Sequence, residues 1–91
     1  MYRIIDSKSS GKTSRLMLLA RENDIPIACS NPCAMRQKAY AYGITGIDFI
    51  SYGDLFEEKW NGDIFIDEIE SFVNYCIKDA ILKGYTLSNE N

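Results

Sequence analysis

Asp6-Ser7-Lys8-Ser9-Ser10-Gly11-Lys12-Thr13 is the stretch whose reading decides the fold of this chain. Tyr2-Arg3-Ile4-Ile5 ahead of it reads as a β-strand. Residues 2–6 are mostly apolar, as a buried central strand should be. Ser14 to Arg21 behind it reads as a helix. Strand, small-residue loop, Gly-Lys-Thr and helix in that order build a cradle for phosphate. Successive backbone N–H groups of such a loop point inward, and the helix adds its positive N-terminal end. Ser9, Ser10, Gly11, Lys12, Thr13 and Ser14 are the residues of the cradle. Lys12 supplies a point charge for the β- and γ-phosphates, and the Thr13 hydroxyl is placed to ligate Mg²⁺. The competing reading is a Ser-rich turn followed by a Thr N-cap.

One domain is expected, residues 1–91, because 91 residues support a single thin core. A hydrophobic content of 46% and an aromatic content of 12% fit a globular chain and not a disordered one. No apolar run approaches a membrane span, so no membrane partner is expected, and no signal peptide is read. The net charge of −3 argues against coating nucleic acid by bulk charge, while leaving a local basic patch open. Cys29, Cys33 and Cys76 form an odd set and read as reduced thiols, which points to the cytoplasm. With no histidine, His catalysis and His metal ligands are excluded, and Cys29-x3-Cys33 reads as two small buried or capping residues.

The helix from Thr13 to about Asn23 is apolar nearly all round, so it packs on more than one side. Ile25 to Ser30 reads as a second strand, with Pro26 at its start or at an edge. Asn31-Pro32 signals a helix start, Asn31 as N-cap, and Gly43 its stop. Gly46 to Ser51 reads as a third strand. Asp54 is expected to cap a short helix through Trp60, and Asn61-Gly62 marks a turn.

Asp63-Ile64-Phe65-Ile66-Asp67-Glu68 is the second informative stretch. A buried strand delivers Asp67 to its C-terminal end, where ligands bind in open α/β sheets. Asp67 and Glu68 alternatively cap the next helix, and both roles can coexist. Ile69, Phe72, Val73, Cys76, Ile77, Ala80 and Ile81 follow at helical spacing. Tyr85 to Ser88 reads as a last strand.

Gly11-Lys12-Thr13 resembles the Walker A motif of P-loop NTPases, with Asp6 where that pattern has its first glycine. A carboxylate there brings negative charge towards the anion site and loses glycine's freedom. Ile66-Asp67-Glu68 looks like a Walker B motif with an adjacent catalytic glutamate. The alternation of strands and helices predicts an α/β fold: a three-layer, mainly parallel sheet. The whole chain resembles the minimal core of an additional-strand P-loop NTPase and is similar to small phage-encoded proteins with that core. That resemblance implies ATP or another NTP as ligand, with Mg²⁺ held by Thr13 and Asp67. It implies Lys12 and Glu68 as the catalytic pair, Glu68 orienting the attacking water. It also implies a γ-phosphate sensor at Thr86 or Ser88, on a strand inserted beside the P-loop strand, and places Asn31 on the ligand side. Arg15 and Arg36 are the arginines able to approach phosphate, Arg15 reading rather as a helix-surface residue. An arginine finger would then come from a second copy or a larger protein partner.

Two functions compete. One is an NTP-binding protein with slow Mg²⁺-dependent hydrolysis in phage or host DNA metabolism, in the host cytoplasm if phage-encoded. The other is a P-loop scaffold that has lost catalysis and works as a binding or inhibitory protein against a host factor.

Overall fold

Ile27, Ala28 and Cys29 are fully buried one after another, which requires cover on both faces of the strand they form. A computed structural model describes residues 1–7 and 10–88, and in it these three residues are the central strand of a parallel sheet. The elements run α1 (Lys12–Asn23), β1 (Ile27–Cys29), α2 (Pro32–Ala41), β2 (Phe49–Ser51), α3 (Tyr52–Phe56), β3 (Phe65–Ile66) and α4 (Ile69–Ile77). The sheet order is β2-β1-β3, with Ile27 beside both Phe49 and Phe65 and Ala28 beside both Ile50 and Ile66. The chain is therefore mixed α/β with a three-stranded, wholly parallel sheet.

Side chains alternate along a strand, so Ile27 and Cys29 share one face and Ala28 takes the other. On the first face, Ile27, Cys29 and Phe49 cluster with Met17 and Ala20 of α1, Met35 and Ala39 of α2, and Ile44. Burying a side chain such as Ile27 or Met17 contributes about 1.5–3 kcal/mol each, so this small cluster holds the domain together. Pro26 stands just before β1, where its missing N–H costs nothing and its carbonyl accepts from Phe65 N.

Both long helices stop through backbone chemistry. Ile25 N–H donates to Ala20 O at 3.0 Å, and Asp24 takes φ 56°. Ile44 N–H donates to Ala39 O at 2.9 Å and Gly43 N–H to Tyr40 O at 3.0 Å, with Gly43 at φ 73°. The second is a Schellman motif, and its apolar contact joins Ile44 to Ala39 in the core. Asn31 caps α2 as expected, its Oδ1 accepting from Ala34 N at 3.1 Å with Pro32 at the first helical position.

Four expectations are corrected. Residues 2–6 form no strand, and the interior strand is β1; Tyr2 and Ile5 are exposed, although the Tyr2 ring lies 6.1 Å from that of Phe65. Tyr2 touches Phe65 through its ring, and Asp6 turns to Ser7 N and Arg15, so the segment meets β3 by a side-chain contact without a backbone ladder. Residues 85–88 form no strand either. The last helix ends at Ile77 and not near Ile81, because Lys78 turns to φ 55° and leaves Ile81 exposed. The short helix is capped by Ser51, whose Oγ accepts from Asp54 N at 3.0 Å, and it stops at Phe56; Asp54 instead pairs with Lys59 at 3.3 Å.

Candidate functional site

All three strands run the same way, so their C-terminal ends share one edge, and the start of α1 reaches that edge. Asp67 follows β3 directly, its N–H held by Ala28 O at 3.0 Å. The Thr13 hydroxyl donates to Asp67 Oδ1 at 3.3 Å. Lys12 Nζ lies 3.5 Å from Glu68 Oε1. The two stretches singled out in the sequence therefore meet at one place, with a cation, a hydroxyl and two carboxylates within contact of one another.

Gly11 creates the approach. It sits at φ 83°, in the left-handed region that favours glycine, and is the N-cap of α1 without a side-chain cap. Lys12, Thr13 and Ser14 follow as the first turn, whose N–H groups have no acceptor within the helix. No acidic residue occupies that turn. Ser14 Oγ donates to Gly11 O at 2.9 Å and ties the turn together. Ser10 is exposed beside Gly11, and Ser9 lies outside the described residues.

The electrostatics follow from depth. Lys12 is mostly covered, its side chain 22% exposed, whereas Glu68 is half exposed, so solvent screens their pair from one side. Asp67 is half-buried, and that desolvation raises its carboxyl above the ordinary value of 3.8. The Glu68 charge pushes the same way, while the Thr13 hydrogen bond and the charges of Lys38 and Lys12 oppose. Glu68 itself takes φ 61° at the head of α4, a conformation uncommon for a residue with a Cβ.

Asp6 does not turn to Lys12. Its Oδ2 accepts from Arg15 at 3.2 Å, and its Oδ1 accepts from Ser7 N at 2.8 Å. The Ser7 N–H first, and then Arg15, hold its carboxyl below the ordinary range. Arg15 is thus a half-exposed helix-surface residue committed to Asp6. Arg36 lines a cleft with Tyr40, Ile44, Thr45 and Phe49, beside the start of β2. Asn31 lies at the C-terminal edge, but its side chain is engaged in the cap of α2. Thr86 has no strand to carry it and lines an apolar groove against Ile69 and Val73 of α4.

Sequence reasoning missed Tyr52. It is the first residue of α3, only 5% exposed, and its hydroxyl donates to Asp67 O at 2.5 Å and lies 3.2 Å from Glu68 O. The available signal was a serine N-cap followed by tyrosine at the end of a strand, at the same edge as Asp67.

Cys29 is buried and its thiol is pushed up to about 11 by that burial, which leaves it protonated and inert. Among the described residues, no three of His, Cys, Asp and Glu gather to hold a metal ion, and no helix is long and apolar enough to cross a membrane. Compared with protein-family models, with curated proteins and with solved structures, the chain gives no match.

Proposed function

We propose that this domain is a minimal P-loop NTPase-like core that binds ATP, or another nucleoside triphosphate, together with Mg²⁺ at the edge where α1 meets β3. The observation that carries this reading is the Thr13–Asp67 hydrogen bond with the Lys12–Glu68 pair beside it. A Ser-rich turn with a simple cap has no need to meet an Asp-Glu pair 54 residues away. The donor set suits the ligand. Mg²⁺ takes one or two protein oxygens and fills its shell with water and phosphate, so Thr13 and Asp67 would suffice to hold it. When bound there, it would neutralise phosphate charge.

The chain's own groups have defined tasks in this reading. The free N–H groups of the first turn of α1 receive phosphate oxygens. Lys12 exchanges its pairing with Glu68 for the β- and γ-phosphates. Glu68, released by that exchange, is a half-exposed carboxylate able to orient water and take its proton. Arg15 is engaged by Asp6, so in this reading turnover by the monomer is slow, and a second copy or a larger partner supplies an arginine.

Calorimetry with ATP and with GTP, each with and without Mg²⁺, tests the reading. Lys12→Ala is expected to weaken nucleotide binding by about 1.5–3 kcal/mol, the scale of a charge-assisted hydrogen bond. Equal affinity in wild type and variant overturns it. A second reading, a degenerate scaffold that binds or inhibits a host factor, draws on two features. Asp6 occupies a glycine's place and is bound by Arg15. α4 has no buried residue and exposes Ile69 and Tyr75. Absence of binding heat with either nucleotide favours this second reading.

A further inference from the structure

We infer that Tyr52 is a positioning residue for the site: its buried hydroxyl sets where Asp67 and Glu68 stand relative to Thr13 and Lys12. This rests on the nucleotide reading only for what the site binds, not for the geometry.

The turn between β3 and α4 is held from two sides. On one, Asp67 N–H donates to Ala28 O of β1. On the other, the Tyr52 hydroxyl donates to Asp67 O, with Glu68 O within 3.2 Å. Both flanking peptides of Asp67 are thus fixed by separate elements, and the directions of two successive carboxylates follow. That restraint matters because Glu68 sits at φ 61°, which a non-glycine residue leaves readily once the surroundings permit.

Tyr52 is itself well anchored. The Ser51 cap fixes the start of α3, and the Tyr52 ring packs edge-on against Phe72 of α4 with centroids 5.4 Å apart. Burial, with the neighbouring Asp67 charge adding, pushes its phenol up to about 12, so it remains a neutral donor throughout the physiological range. A buried hydroxyl directed at the backbone of two carboxylate residues acts through them; it need not touch the ligand.

Tyr52→Phe removes the hydroxyl and keeps the ring. Two measurements on this variant decide the matter. In the protein alone, the Glu68 backbone, followed by its HN–Hα coupling constant and amide shifts, is expected to leave φ 61°, because the turn has lost the donor that holds it. The methyl signals of Met17 and Ile27 should stay in place, showing an intact core. With nucleotide, affinity for ATP without Mg²⁺ should be preserved, while the gain in affinity conferred by Mg²⁺ falls about tenfold or more, the usual consequence of losing an outer-shell support. An unmoved Glu68 coupling overturns the inference whatever the protein binds. A moved coupling in a protein whose wild type binds no ATP supports the role of Tyr52 and sinks the nucleotide reading. An unchanged Mg²⁺ gain in the variant overturns the inference and leaves that reading standing. Should the variant misfold, the wild type still answers: the Tyr52 hydroxyl proton should exchange slowly and show contacts to the Glu68 and Ile69 amides, and a rapidly exchanging proton overturns the inference.

Discussion

The Thr13 hydroxyl reaches Asp67 Oδ1 across 3.3 Å and joins two residues separated by 54 positions. With the Lys12–Glu68 pair, it joins the start of α1 directly to the end of β3. The contact is long for an O–H donor, so its energetic value lies at the low end for a hydrogen bond.

Thr13→Val is therefore expected to cost about 0.5–1.5 kcal/mol in stability, because half-buried Asp67 loses a donor that the isosteric side chain cannot replace. Thr13→Ser keeps the hydroxyl and should lose less. Urea unfolding of both variants checks this. A Val variant as stable as the Ser variant would show that the contact contributes nothing.

Gly11→Ala tests the loop. A Cβ built at Gly11 would come no nearer than 3.6 Å to any neighbouring group, Ser14 Oγ being that neighbour, so there is space for it. The cost comes from φ 83°, where a residue with a Cβ is disfavoured by about 1–2 kcal/mol. Asn tolerates this region better, so Gly11→Asn should fall between glycine and alanine. Equal stability of the three proteins would mean that the loop readily abandons this conformation.

How far the sequence revealed this arrangement depends on whether the signal was local. Asn31-Pro32, Gly43 and Gly11-Lys12-Thr13 act through their own backbone, and all three stand where their chemistry places them. The meeting of Lys12 and Thr13 with Glu68 and Asp67 was legible because both stretches carried a pattern. Residues 2–6 and 85–88 had strand-like composition, but a strand needs a partner, and pairing is not written in either segment. The seven-residue apolar series from Ile69 promised a longer helix than the chain forms, since periodicity does not register the turn at Lys78. Tyr52 was hidden for a different reason: the serine cap before it is a local signal, but the distant carbonyl that its hydroxyl meets is not.

Asp6→Gly separates two effects. The Asp6–Arg15 pair is exposed and screened, so its loss should barely change stability. Removing a negative charge near the proposed phosphate site should tighten ATP binding, most clearly at low salt, because the interaction is Coulombic. Calorimetry across a salt series measures it. Weaker binding by the glycine variant would mean that Asp6, by tethering Arg15, is a positive element of the site.

The pH dependence of stability isolates Asp67. Burial raises its carboxyl above 3.8 in the folded protein, whereas in the unfolded chain it titrates at the ordinary value. Between those two values the folded state holds the proton that the unfolded state has released. Stability must then fall as pH rises across that interval. The contribution is fully present below the unfolded value and is lost once pH passes the raised folded one. Asp6, held low by Ser7 N–H and Arg15, has the opposite sign: its contribution is present above 3.8 and disappears as pH falls through its folded value. Asp67→Asn deletes the first effect and leaves the second, so the variant should gain on the wild type as pH rises from about 3 to about 7. Urea midpoints of the two proteins at a series of pH values give the difference directly. In the wild type, protons also compete with Mg²⁺ for Asp67, so the Mg²⁺-dependent part of ATP affinity should grow over the same interval in which stability declines. Stability curves that run parallel in wild type and variant would show that Asp67 is not held away from water, and would remove the electrostatic basis of the site.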